Sequence, residues 1–152
     1  MKVRILPRQP LRRLAWLAVG VGLAAFSVFE VVVHDLGPVP IVVFAVLPDL
    51  AFLAGIGQPH RPGQLPPRAV PAYNLAHRPV IPVALIALAL VGLLGARLLN
   101  EEPGAFEAAR RIPLVVYVAG LTWLAHVALD RAFGFGLRTA DGWQRRQRED
   151  PR

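Results

Sequence analysis

Four ionisable side chains stand within apolar stretches of this sequence: Asp49, His77, His126 and Asp130. An ionised residue at the centre of a membrane helix costs about 2.5 to 3.5 kcal/mol, so such residues persist where they are paired or functional. His126 and Asp130 are four positions apart and share one helix face. Two carboxylates and two imidazoles can bind a divalent metal (Zn, Mn or Fe), and a bound metal could activate a water as a nucleophile.

Two further polar residues could assist such a site. Asn74 precedes His77 by three positions, where its amide could orient the imidazole or cap the following helix. Arg131 follows Asp130 directly and could contact an anionic substrate. The predicted cluster is therefore Asp49, Asn74, His77, His126, Asp130 and Arg131, and its aspartates and histidines are the predicted metal ligands.

The same residues could instead only hold helices together. Asp49 could pair with Arg78 or Arg131, and Asp130 could accept a hydrogen bond from His77. Such interhelical hydrogen bonds average about 0.6 kcal/mol in a measured membrane protein. A third interpretation is an ion, proton or substrate path, in which Asp49 and His126 would exchange protons.

The helices that must position these residues are predicted from four apolar runs. A helix needs about 20 apolar residues to cross the hydrocarbon core. In this chain 55% of the residues are hydrophobic, and the charges are confined to blocks between the runs. The sequence predicts an all-α integral membrane bundle of about four transmembrane helices, at about residues 14–33, 39–57, 75–99 and 112–131. These helices form a single domain, residues 1–143, and a charged cytoplasmic tail follows at residues 144–152.

The distribution of basic residues predicts the orientation of these helices. Most of the 17 lysine and arginine residues lie before the first run, in the Pro-rich loop at 58–71, or after the fourth run. The positive-inside rule then places both termini in the cytoplasm. With the helix directions fixed, the predicted metal ligands all fall in the inner half of the membrane.

Composition also limits the partners and the chemistry. Basic residues that flank apolar runs favour anionic lipid headgroups as partners and argue against nucleic acid. A homo-oligomer is compatible with the large lipid-facing surface. The chain has no cysteine, which excludes thiolate metal sites and cysteine nucleophiles. Arginine far outnumbers lysine, and Ala, Gly, Pro and Val are abundant, a composition typical of bacterial proteins from GC-rich genomes. The predicted location is the bacterial inner membrane, with a multi-pass topology.

Several short motifs contain these polar residues or lie next to them. They are Pro48-Asp49-Leu50, the stretch from Tyr73 to His77, the stretch from Trp123 to Arg131, and Gly134-Phe135-Gly136-Leu137. Their combination resembles the domain of unknown function 4260 family, which consists of small bacterial membrane proteins, and the resemblance covers about residues 11–143. The family pattern often has Ser in place of Ala51 and Tyr in place of Phe135.

This resemblance implies a membrane fold and points to the same six residues of the predicted cluster, without supplying an activity. The Pro-Asp and histidine arrangement is also loosely similar to membrane-bound metal-dependent hydrolases. Three functions follow as alternatives. The chain is a structural or accessory membrane protein, or a metal-dependent hydrolase of a lipid or phosphate ester at the cytoplasmic face, or a small proton-coupled transporter subunit.

Overall fold

The computed structural model of this protein describes residues 8–145, and helices make up most of that range. The α-helices are α1 (Arg8–Val33), α2 (Val39–Val46), α3 (Val70–Ala76), α4 (Val80–Leu99) and α5 (Pro103–Phe133). A 3₁₀ segment (Leu47–Gly55) continues from α2, and a short 3₁₀ turn (Pro67–Ala69) leads into α3. Within residues 8–145 the only strand-like pairing is an isolated antiparallel bridge between Arg138 and Gln144. The prediction of an all-α fold is therefore confirmed for the described residues.

α5 is the central helix, and α1, α2 and α4 all pack against it. α1 lies antiparallel to α5, because Gly20 in the middle of α1 meets Leu129 near the end of α5, while His34 just after α1 meets Arg110 near the start of α5. Close packing is possible because many buried residues of α5 are small. The small residues buried in α5 are Ala119, Gly120, Ala125, Ala128 and Ala132.

Three stretches of the structure are long and apolar enough to cross a membrane: Pro10–Val33, Pro67–Leu99 and Pro103–Phe133. A further apolar stretch, Val39–Gly55, is shorter. Many large apolar side chains on these helices point away from the bundle, including Val32 and Leu98. Apolar exposure on this scale is characteristic of a surface that contacts lipid or a partner.

Two prolines interrupt helices that the hydropathy pattern predicts to be continuous. The stretch predicted as one helix at 39–57 consists of α2 followed by the 3₁₀ segment, because Pro48 has no N–H for the α-helical hydrogen-bond pattern. The stretch predicted at 75–99 breaks between Ala76 and Val80, because Pro79 disfavours a helical conformation at the residue before it. Hydropathy does not detect these breaks, since the residues on both sides are equally apolar.

The first and last helices extend beyond their predicted bounds of 14–33 and 112–131. α1 begins at Arg8, and α5 begins at Pro103, a favourable residue for the first turn. The extra turns of α5 contain Ala, Glu and Arg, which form helices well, but the charges of Glu and Arg exclude these turns from the apolar run. Helix length therefore exceeds the length of the apolar run at both ends of the chain.

The Pro-rich loop is packed against the segment that follows α5. The backbone N–H of Leu65 donates to the carbonyl oxygen of Gly142 at 2.9 Å, and the Gln64 amide donates to the Asp141 carbonyl oxygen at 2.6 Å. Leu65, Val70 and Tyr73 form a buried apolar cluster behind this contact. This packing fixes the position of α3. Residues 146–152 of the predicted tail lie outside the described residues.

Helix packing gives a test at Gly120, where α5 contacts α4. A Cβ atom on Gly120 would lie 2.7 Å from Ile86 Cγ1 and 3.0 Å from the carbonyl oxygen of Pro82, so Gly120→Ala forces the two helices apart. We expect it to lower the free energy of unfolding by about 1 to 3 kcal/mol, the usual cost of overpacking. Thermal unfolding of the detergent-purified protein measures the change.

Gly95 of α4 provides the matched control, because no heavy atom lies within 4 Å of a Cβ built there. Gly95→Ala replaces glycine in a helix by the best helix former, so its stability should stay unchanged or rise by up to about 1 kcal/mol. Equal unfolding temperatures for the two variants would contradict the described packing of α4 on α5.

Candidate metal centre

His77 lies at the end of α3 and is held by Tyr73. The Tyr73 carbonyl oxygen accepts two hydrogen bonds from this histidine, one from its backbone N–H at 2.9 Å and one from its ring Nδ1 at 2.9 Å. The two rings stack with centroids 3.9 Å apart, and His77 is only 3% exposed. A carbonyl oxygen only accepts hydrogen bonds, so Nδ1 carries the proton and the Nε2 lone pair of neutral His77 is free.

His126 lies on α5 and is held in the same way by α2. Its Nδ1 lies 2.9 Å from the carbonyl oxygen of Ala45. In the 3₁₀ pattern that begins here, the donor for this carbonyl would be Pro48, which has no N–H. The break in the second helix therefore offers an acceptor to His126, whose Nε2 lone pair is also free in the neutral form.

The two free nitrogens face each other beside a carboxylate. His77 Nε2 lies 3.3 Å from His126 Nε2. Asp49 Oδ1 lies 3.5 Å from the first nitrogen and 3.6 Å from the second. Ligand atoms held about 2.0 to 2.1 Å from a tetrahedral Zn²⁺ are about 3.3 to 3.4 Å apart. Asp49, His77 and His126 thus form a group whose ligand atoms, all within 4.8 Å of one another, are spaced for a metal ion.

Asp130 lies at the edge of this group. Its Oδ2 is 3.2 Å from His77 Nε2 and 3.9 Å from His126 Nε2. The carboxylates differ from the histidines in exposure: the side chain of Asp49 is 46% exposed and that of Asp130 is 22% exposed. The structure therefore brings all four predicted ligands together, with both imidazoles inside and both carboxylates reachable from outside.

Nitrogen and oxygen donors in this combination suit Zn²⁺, and they also suit Mn²⁺ or Fe²⁺. Histidine ligands in metal sites usually donate their second ring nitrogen to a carbonyl or carboxylate, which fixes the ring. Both histidines here meet that condition through backbone carbonyls. The donor set and the orientation of its rings therefore fit a divalent metal ion.

Asn74 has a different role from the two considered above. Its side-chain nitrogen donates to the Arg138 carbonyl oxygen at 2.9 Å, and its oxygen accepts from the Arg138 backbone N–H at 2.8 Å. Asn74 thus joins α3 to the segment after α5, while Tyr73 orients His77, and no side chain caps the N-terminus of α3 or of α4. The pairing considered between Asp49 and an arginine is replaced by contacts with the two histidines.

Arg131 lies outside the four-residue cluster, with its guanidinium 4.9 Å from the ring centroid of Trp16 on α1. It lines a cavity of about 350 Å³ that His77 and Asp130 also line. Tyr73 and Trp16 support the site but were not among the residues predicted from the sequence. Tyr73 stands four positions before His77, a helical spacing that could have indicated a contact, but no spacing along the chain links Trp16 to Arg131.

Fold and site together define an all-helical protein with three membrane-length apolar stretches and a histidine–carboxylate cluster. The chain belongs to the DUF4260 family, a domain of unknown function, whose family model matches residues 15–147. The resemblance seen in the motifs is thereby confirmed. Comparison with curated proteins and with solved structures finds no match.

The amide bridge of Asn74 gives a test of how the site is supported. Asn74→Ala removes both hydrogen bonds to Arg138, and at about 1 kcal/mol each we expect a loss near 2 kcal/mol in local stability. Hydrogen exchange of the Arg138 amide should become faster. Asn100→Ala is the control: it removes one hydrogen bond, to the Ala96 carbonyl, at the other end of α4. Similar exchange at Arg138 in both variants would contradict the bridge.

Proposed function

We propose that this protein is a metal-dependent hydrolase embedded in the bacterial inner membrane, with its metal centre in the inner leaflet. One observation carries the proposal. Two imidazoles on separate helices each donate Nδ1 to a backbone carbonyl, so that their Nε2 atoms converge 3.3 Å apart beside Asp49. Two lone pairs facing each other repel unless a proton or a cation lies between them. A cation satisfies both nitrogens and the nearby carboxylate at once.

Each residue of the centre has an assigned task. Asp49, His77 and His126 would hold the ion, and a divalent ion there would supply a Lewis acid able to activate water at neutral pH. Asp130 is placed to orient the water and accept its proton, because its Oδ2 lies 3.2 Å from His77 Nε2 and its side chain is partly exposed. The backbone carbonyls keep both rings in place throughout, so the ligand geometry does not have to reorganise.

The membrane arrangement belongs to the same proposal. α2 and the 3₁₀ segment together contain 8 and 9 residues. Laid end to end along one axis at about 1.5 and 2.0 Å per residue, they would span about 30 Å, which equals the thickness of the hydrocarbon core. The proposal therefore counts this stretch as the fourth crossing. Four crossings then place both termini in the cytoplasm, with residues 1–143 as one domain and 144–152 as its tail.

Metal content tests the catalytic proposal. We expect the detergent-purified protein to contain stoichiometric Zn, Mn or Fe by elemental analysis. Asp49→Asn keeps the size and the partial exposure of the side chain but removes its charge, so the fold should survive while metal is lost. The metal affinity of His126→Ala should fall by more than the 10- to 100-fold that follows loss of a supporting partner.

His60→Ala is the matched control, because His60 is an exposed histidine of the Pro-rich loop whose ring forms its one hydrogen bond within the described residues with the Gln58 carbonyl oxygen. This variant should retain full metal content. A metal-free wild type, together with unchanged stability in His126→Ala, would overturn the metal centre. If the wild type contains no metal and the His126→Ala variant is less stable than the wild type, the cluster is instead a structural network.

The cysteine-free chain makes the topology directly testable. Single cysteines at two exposed positions, His60→Cys in the Pro-rich loop and Glu101→Cys between α4 and α5, should behave in opposite ways. A membrane-impermeant maleimide should label Glu101→Cys in intact spheroplasts, and His60→Cys only after permeabilisation. Labelling of His60→Cys from the outside would invert the proposed orientation.

A further inference from the structure

A basic cavity opens directly beside the proposed metal centre. It encloses about 350 Å³ between the first turns of α1, the end of α5 and the segment that follows. This volume is at the lower end of the range for ligand sites, about 300 to 1,000 Å³, and suits a small polar group. The residues that matter are Arg12, Trp16, His77, Asp130, Arg131 and Arg145.

The charge of this cavity selects an anion. Arg12, Arg131 and Arg145 are three arginines among its lining residues, against a single acidic residue, Asp130. Within residues 8–145, none of these arginines forms an ion pair with a carboxylate. Uncompensated positive charge in a cleft concentrates anions there. A negatively charged ligand is therefore the complement that the cavity lacks.

Arginine also specifies the kind of anion. Its planar, forked donors match phosphate and carboxylate oxygens two at a time, which a lysine cannot do. Arg131 is held against Trp16, with its guanidinium carbon 4.9 Å from the ring centroid. Such a contact orders the side chain before the ligand binds, which reduces the entropy lost on binding. Three arginines around a small cavity suit a group with several charged oxygens, as in a phosphate monoester.

The walls of the cavity are apolar where they approach the outer surface. Trp16 and Phe135 both line it, and Phe135 is 48% exposed. A charged floor beside these aromatic rings matches a molecule with a phosphorylated head and an apolar tail.

We propose that this cavity binds the phosphate group of a phosphate monoester and presents its ester bond to the metal centre. As a substrate class this rests on the hydrolase proposed above, while binding itself does not require the metal. Hydrolysis consumes one water, whose oxygen bonds to phosphorus. The bond between phosphorus and the alcohol oxygen breaks, and that oxygen keeps the electron pair and takes a proton from the water. The products are an alcohol and inorganic phosphate, with no redox change.

The test compares two arginine variants of the full chain in detergent, with and without added Zn²⁺. Native mass spectrometry measures retention of phosphatidic acid, a lipid phosphate monoester, against phosphatidylcholine, a zwitterionic diester. Arg131→Gln should bind phosphatidic acid at least about tenfold more weakly than wild type, because it loses charge-assisted hydrogen bonds. Arg97→Gln, at an exposed arginine near the opposite end of the bundle, should bind as wild type does.

Each outcome bears on the proposal. Preferred binding of phosphatidic acid that Arg131→Gln alone weakens supports the cavity, and displacement by inorganic phosphate shows that a soluble phosphate ester also fits. Failure of inorganic phosphate to displace the lipid assigns the lipid as the source of the phosphate. Equal binding by both variants, or no preference over phosphatidylcholine, overturns the proposal. Binding is measured with and without added metal, so the two proposals can fail separately. If the purified protein contains no metal but still selects phosphatidic acid, the hydrolase proposal fails and the cavity proposal stands.

Discussion

The hydrogen bonds from two histidine rings to two backbone carbonyls determine how the polar cluster is built. A carbonyl inside a regular helix already accepts a backbone hydrogen bond, so an available acceptor usually requires a helix end or a break. Ala45 accepts from the ring of His126 where α2 gives way to the 3₁₀ segment near Pro48. The Tyr73 carbonyl, which already accepts from the backbone N–H of His77, takes the ring of His77 as a second donor where α3 ends. Both imidazoles are thus oriented by carbonyls that lie where a regular α-helix stops.

The sequence predicts which residues meet but not how they are held. Helix directions alone bring Asp49, His77, His126 and Asp130 to one level, because apolar runs and loop charges are strong signals. The sequence signals that mark helix ends are weaker. Hydropathy measures burial and carries no information on backbone hydrogen bonding, so the 3₁₀ segment and the break before Pro79 go undetected. Contacts between segments far apart in the chain, such as Asn74 with Arg138, leave no periodic pattern at all.

α5 couples the packing of the bundle to the site. Its small buried residues let α1 and α4 approach closely, and the same helix carries His126, Asp130 and Arg131. The approach of α1 places Trp16 over Arg131, so the position of the cavity follows from the packing of these two helices. Helix α2 completes the arrangement by providing the carbonyl for His126. The site therefore requires the assembled bundle, and no single motif contains it.

The distribution of exposure within the cluster favours a ligand-binding role over a purely structural one. A polar network that only joins helices gains most when every donor and acceptor is buried and paired, because a low-dielectric surrounding strengthens each contact. Here the imidazoles are largely buried, but the side chain of Asp49 is 46% exposed and Asp130 lines a cavity. Exposure of this kind weakens a network and leaves lone pairs unused, yet it is what an ion and its substrate need for entry. In the proposed metal centre, buried nitrogen ligands would lie inside and partly exposed carboxylate oxygens outside, which leaves room for the open coordination position that a catalytic metal site keeps.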